Sequence, residues 1–271
     1  MSENPSDSHT GNGAHNLGFM LGSMWAEFKS IVERISASPD VRVVILSSAL
    51  ERYFTAGLEL TPAFSFIDDS SHFDVARKAF ILRQYVVVSS SPNFPVIAAV
   101  FGGTVGLAVD IASACDIRLA ASDTIFAISE VNVGLAADIG SLQRLPKIVG
   151  NDSKARELAL TGRRFGAVEA RDMGFVSDIV QGGRNEVIAA AIELGKVIAQ
   201  KSPVAVVGTK HLMNHARDHT VEEGLDYTAT WNMGMLQSSD TSTAMKAALS
   251  KQTAIFAPLS APKQYYPKGK L

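Results

Sequence analysis

Two short apolar runs constrain the fold of this chain more than any other feature. Val41 to Ser47 reads VRVVILS and Phe94 to Val100 reads FPVIAAV, both without regular polar alternation. At seven residues each they are too short for core helices, and the pattern is that of strands buried on both faces. Such strands need layers on either side. Leu17 to Ser36 supplies one, with Met20, Met24, Phe28, Ile31 and Ile35 at helical spacing. Phe73 to Ser90, Leu107 to Ala114, Ser141 to Val149, Ser153 to Leu160 and Ala167 to Met173 read as further helices. Short strands are expected at Ile117 to Ala121, Thr124 to Ile128 and Phe175 to Val180, and Tyr53 to Gly57 as a small-residue turn. Strands and helices succeed one another, which defines an α/β core.

Beyond Gly183 the pattern becomes almost wholly helical. Asn185 to Gln200 is amphipathic, and Ser202-Pro203 forms an N-cap with proline at the first helical position. Val221 to Ser238 and Thr241 to Ser250 follow. Trp231, Met233, Met235 and Leu236 carry more apolar surface than an isolated tail would leave wet, so packing on the core or on a neighbouring subunit is expected. The expected division is a disordered segment 1–16, a core 17–183, a helical region 184–258 and a tail 259–271.

Composition narrows the function classes. A net charge of −2, with no Lys/Arg cluster, gives no electrostatic footprint for nucleic acid. No apolar run approaches the ~20 residues that span a bilayer. One cysteine, Cys115, precludes an intrachain disulfide, fits a reducing compartment and reads as a small core residue. Met1 to His15 has neither the apolar centre of a secretory signal nor the arginines of a transit peptide. The ending Gly269-Lys270-Leu271 differs at its first position from a peroxisomal Ser-Lys-Leu address, so the peroxisome is expected, with mitochondrion or cytoplasm as alternatives.

The chemistry concentrates between Asp110 and Pro146. Glu130 and Asp138 stand eight residues apart in an otherwise apolar or small stretch, and Asp110 follows a glycine-rich turn upstream. Apolar surroundings disfavour ionised carboxylates, and acids converging on one pocket can pass protons in opposite directions. Each acid alone could be a cap or a partner of Arg118 or Arg144. The turn Val100 to Gly106 lacks the G-x-G-x-x-G spacing of a dinucleotide loop, but it exposes N–H groups at a helix start, a ready oxyanion site. Thr55 to Leu58 could supply a second donor. His211, His215 and His219 recur every four residues, without the glutamate of an H-E-x-x-H metal site, and read as a solvated helix face.

These residues carry a resemblance. Ala98 to Gly103, Val109-Asp110 and Ala114 to Arg118 resemble the enoyl-CoA hydratase/isomerase (crotonase) family. Glu130 to Lys147 and Ser202 to Gln237 are similar, more narrowly, to its Δ3,5-Δ2,4-dienoyl-CoA isomerase branch. The resemblance implies a spiral of ββα units with a C-terminal helical region that forms trimers, or hexamers as dimers of trimers. It implies an acyl-CoA thioester as substrate, no cofactor and no metal. It makes Glu130, Asp138 and Asp110 the catalytic acids, Leu58 and Leu107 the backbone oxyanion donors, and Ala56, Gly57 and Gly106 substrate-binding. Family hydratases carry two glutamates at the positions of Asp110 and Glu130 and glycine at that of Asp138; the third acid points to isomerisation instead of hydration. The alternatives are an enoyl-CoA hydratase or a weakly active acyl-CoA-binding protein of the same fold. Two departures are expected to matter. Leu107 stands where dienoyl isomerases carry glycine and is expected to reshape the acyl pocket, and a strand pair expected ahead of the first helix is replaced by Met1 to His15.

Overall fold

The computed structural model describes residues 22–57 and 92–259. The expected helix Phe73 to Ser90, the start of Leu17 to Ser36, Leu58 and the two termini, with Gly269 to Leu271, lie outside the described residues. The elements run α1 (Gly22–Ser36), β1 (Val44–Leu46), β2 (Tyr53–Thr55), β3 (Val96–Val100), β4 (Gly103–Val105) and α2 (Leu107–Ala114). Then come β5 (Ile117–Ala121), β6 (Ile125–Ala127), a 3-10 turn (Glu130–Val133), α3 (Ser141–Ile148), α4 (Asp152–Thr161), β7 (Arg164–Gly166), α5 (Ala167–Asp172) and β8 (Asp178–Val180). Four helices follow: α6 (Arg184–Ala199), α7 (Pro203–Ala216), α8 (Val221–Met235) and α9 (Ser239–Leu249).

Successive strands go to different sheets. One sheet has the order β1-β3-β5-β8, the other β2-β4-β6-β7. Each pass of the chain therefore lays one strand in each sheet, the ββα spiral expected for the core. All pairs are parallel except β6 with β7, where Phe126 faces Phe165. Along β3 and β5, Ala98, Val100 and Ala120 turn to the main core, which also holds Phe126, Phe165 and Phe175. Ile97, Ala99, Phe101, Leu119 and Ala121 turn the other way, onto Val187 and Ala191 of α6. Both faces of β3 are thus covered, which is why its sequence does not alternate.

Several expected boundaries change. β1 keeps only three of the seven residues read as a strand, and they are half-buried, because β1 ends the strand order among the described residues. Tyr53 to Thr55, read as part of a turn, is a strand, and so is Gly103 to Val105 inside the stretch read as one turn. Glycine and threonine give β4 almost no apolar signal, and its place comes from pairing with β2 and β6. β8 begins only at Asp178; Phe175 is buried from a turn, so its apolar character does not mark a strand. His219 lies past the end of α7, and the expected solvated histidine face is a ring stack. His215 lies between His219 and Tyr227, at ring centroid distances of 3.7 and 4.0 Å, while His211 stacks on Trp231 at 4.2 Å.

Two buried cations tie the layers together. Arg118 donates from Nε to the Phe175 carbonyl at 2.6 Å and from Nη1 to those of Cys115 at 2.6 Å and Ala112 at 3.3 Å. It thereby gathers carbonyls at and beyond the end of α2, where the helix supplies fewer donors of its own. Lys210 of α7 donates to Asp116 at 2.8 Å and to the Phe94 carbonyl at 2.9 Å, while Asp116 accepts from Val96 N–H at 2.8 Å, so the helical region is bolted to the start of β3.

Phe126 is fully buried, stacked on Phe165 at 5.3 Å and edge-on to Phe175 at 5.6 Å. Phe126→Ala should therefore cost about 3–5 kcal/mol of stability in urea denaturation followed by tryptophan fluorescence. A loss below about 1 kcal/mol would mean that this ring trio is not the centre of the core.

Candidate active site

The strands β2, β4 and β6 are neighbours and parallel, so the turns that follow them emerge side by side. Ligand sites in parallel sheets form at such carboxyl ends. Ala56-Gly57 follows β2, Gly106-Leu107 follows β4, and Ser129-Glu130 follows β6. Gly106 N–H donates to the Ala127 carbonyl at 2.8 Å, pinning the second turn to the third. Two glycines permit the close approach. Gly57 has φ 101°, and a Cβ there would lie 3.3 Å from the Val105 carbonyl oxygen and 3.8 Å from Leu107 N. Gly106 has φ 58°, and a Cβ there would lie 3.2 Å from Glu130 Oε1 and 3.4 Å from Ser129 Oγ. L side chains rarely adopt either conformation.

Leu107 begins α2, so its N–H has no partner one turn back in its own helix and stands beside Gly57. Its side chain packs in the main core. The backbone N of Leu107 thus lies next to the turn of β2 while the side chain joins the apolar interior. Leu58, the other expected donor, lies outside the described residues.

Asp110, one turn into α2, is only 1% exposed. Its Oδ1 accepts from Ser141 N–H at 2.6 Å and from Ser141 Oγ, at the first residue of α3. Burial pushes its carboxyl up to about 6; the Ser141 bonds pull it down, Asp138 raises it and Arg144 lowers it. Glu130 opens the 3-10 turn and is half-buried, with Oε2 buried and lacking a hydrogen-bond partner among the described residues. Burial pushes it up to about 7, backbone N–H groups at Glu130 and Ser129 oppose this, and Asp110 and Asp138 raise it further. Asp138, in the loop before α3, is exposed. All three acids therefore share one electrostatic neighbourhood, as their sequence positions suggested. Of the two arginines weighed as partners, Arg118 spends its donors on carbonyls, and Arg144 is a charge neighbour of Asp110.

Ser141 was not singled out by the sequence. A hydroxyl residue at the start of a predicted helix, directly after Gly140, was the available signal. Other candidates fall away. Cys115 is buried and its thiol is pushed up to about 12 by desolvation, so it offers no nucleophile. No group of three or more metal-ligating side chains occurs among the described residues. An apolar cavity of about 120 Å³, lined by Phe28, Ile31, Ile35, Leu46, Phe94 and Cys115 among others, holds no acid among the described residues.

Two carboxyls raised by burial, on segments next to a turn that carries a helix-start N–H, suit acid–base chemistry. The chain belongs to the enoyl-CoA hydratase/isomerase family, whose model matches residues 20–257. It is 43% identical over 241 residues to the mitochondrial Delta(3,5)-Delta(2,4)-dienoyl-CoA isomerase of Mus musculus, covering 86% of this chain and 73% of that one. It is 38% identical over 256 residues to the peroxisomal Delta(3,5)-Delta(2,4)-dienoyl-CoA isomerase of Arabidopsis thaliana, covering 92% and 91%. Among solved structures, the enoyl-CoA hydratase of Bacillus anthracis superposes with a TM-score of 0.78 at 26% identity, covering 88% of this chain and 89% of that one.

The raised carboxyls set a pH dependence. A folded-state value above the ordinary one means the folded protein holds the proton more tightly than the unfolded chain. For Glu130 that stabilisation is complete below its ordinary 4.5 and is lost as pH rises through about 7. Glu130→Gln should remove this loss, so that urea midpoints of variant and parent separate above about pH 5 and the variant is the more resistant at pH 8. Parallel midpoint curves across that range would contradict the burial of this carboxyl.

Proposed function

We infer that this chain isomerises 3,5-dienoyl-CoA to 2,4-dienoyl-CoA in the breakdown of unsaturated fatty acids. The observation that carries the reading is the third carboxylate: Asp138 acts electrostatically on both Asp110 and Glu130, at the position where the family's hydratases have glycine. The isomerase names of relatives at 43% and 38% identity support it.

The reaction needs one proton removed next to the thioester carbonyl, at C2, and one returned at C6, while the double bonds shift along the chain. No water is added and no oxidation state changes. Leu107 N–H, with Leu58 N–H by resemblance, holds the thioester oxygen as negative charge spreads onto it. Glu130 and Asp138 are the proton-exchanging groups, and Asp110 orients and polarises Glu130. Ala56, Gly57 and Gly106 give the thioester its close backbone approach. The chemistry calls for no cofactor beyond the CoA that the substrate carries, and for no metal.

Assembly as a trimer, or a dimer of trimers, belongs to the same proposal. Leu225, Met233, Leu236, Met245 and Leu249 of the region α8 to α9 are exposed in the single chain, an apolar surface suited to burial by neighbours. No helix among the described residues is long and apolar enough to cross a membrane. The compartment names of the relatives support a peroxisomal or mitochondrial setting.

The test is an ultraviolet assay of 3,5-dienoyl-CoA conversion beside a 2-enoyl-CoA hydration control. Isomerisation should dominate, and hydration exceeding it would make the chain a hydratase. Asp138→Asn should keep the fold and substrate binding yet lose isomerisation by about 100-fold or more. Glu130→Gln should lower kcat more than Asp110→Asn, with KM little changed in either; the reverse order would exchange the roles given to these two acids.

A further inference from the structure

We infer that Ser141 is a positioning residue that keeps Asp110 anionic, so that the exchangeable proton of the resting site resides on Glu130. Both Ser141 donors converge on one oxygen, Asp110 Oδ1: the N–H at 2.6 Å and the hydroxyl. An N–H can only donate, so Oδ1 must be an acceptor. Ser141 is fully buried and is the first residue of α3, where the N–H has no acceptor in its own helix and the helix dipole favours a negative charge. Glu130 receives backbone N–H groups at Glu130 and Ser129 but no side-chain donor among the described residues, and its buried Oε2 lacks a partner there.

Every charged group acting on Asp110 is part of the balance. Glu130 and Asp138 repel its charge, and Arg144 attracts it. Two acids that repel each other away from water share out their protons, and the one with both a buried hydroxyl and a helix-start N–H on a single oxygen stays ionised. Burial alone would push the proton toward Asp110, the more buried of the two. Ser141 reverses that order, leaving Glu130 as the donor that the proposed reaction needs. Only the kinetic half of the test rests on the isomerase reading.

The carboxyls can be titrated by 13C NMR in the full-length enzyme without substrate. In the parent protein, Asp110 should titrate below Glu130; the reverse order overturns the inference without any variant. In Ser141→Ala the Asp110 midpoint should rise by about one unit and that of Glu130 should fall, as the proton moves between them. The pH profile of kcat should shift accordingly, with KM within threefold, and Ser141→Thr should restore both the midpoints and the profile. Unmoved midpoints in a folded Ser141→Ala protein, or an equal loss of kcat at every pH, would reduce Ser141 to a packing residue. Should the enzyme fail to convert 3,5-dienoyl-CoA, the titration still decides the role of Ser141, and the isomerase reading alone falls.

Discussion

Parallel pairing of β2, β4 and β6 is the constraint on which the site depends. It delivers three turns to one edge of the second sheet, each from a different pass of the spiral. None of these strands exceeds three residues, so they are held by their place between layers more than by their own apolar content. The first sheet supplies that place. Its central strands are covered by the main core on one face and by α6 on the other, and a sheet covered on both faces has little freedom to shift register.

The same burial creates the chemistry. Carboxyls taken out of water resist ionisation, and the effect grows when another acid is close. Asp110 and Glu130 both experience it, yet they are treated differently by their neighbours: one is met by the start of α3, the other has an oxygen without a partner among the described residues. A chemically similar pair is thereby made unequal. That inequality is what lets one site hold a charged and a neutral carboxyl at the same pH.

The C-terminal helices show a division of another kind. α7 is anchored to the core by Lys210 on Asp116, and it holds α8 through the stacked rings of His211, His215, Tyr227 and Trp231. The outward apolar residues of α8 and α9 are exposed and have no such cover among the described residues. One face of the region serves the fold, and the other is available to neighbours.

Much of this was legible in the sequence by itself. The continuous apolar run at β3, the helical periodicities and the clustering of Asp110, Glu130 and Asp138 around glycine turns determined an α/β core with an acid-bearing site, because burial selects residue type at each position. The short strands β4 and β7 were not legible, since their residues acquire strand geometry only by pairing. Ser141 was equally silent: its partner lies 31 residues away, and no local pattern joins a serine at a helix start to an acid in another helix. Only the tertiary structure could decide which acid receives the donors of Ser141. Sequence determines which charges exist; the low-dielectric surroundings that set their protonation are made by the fold.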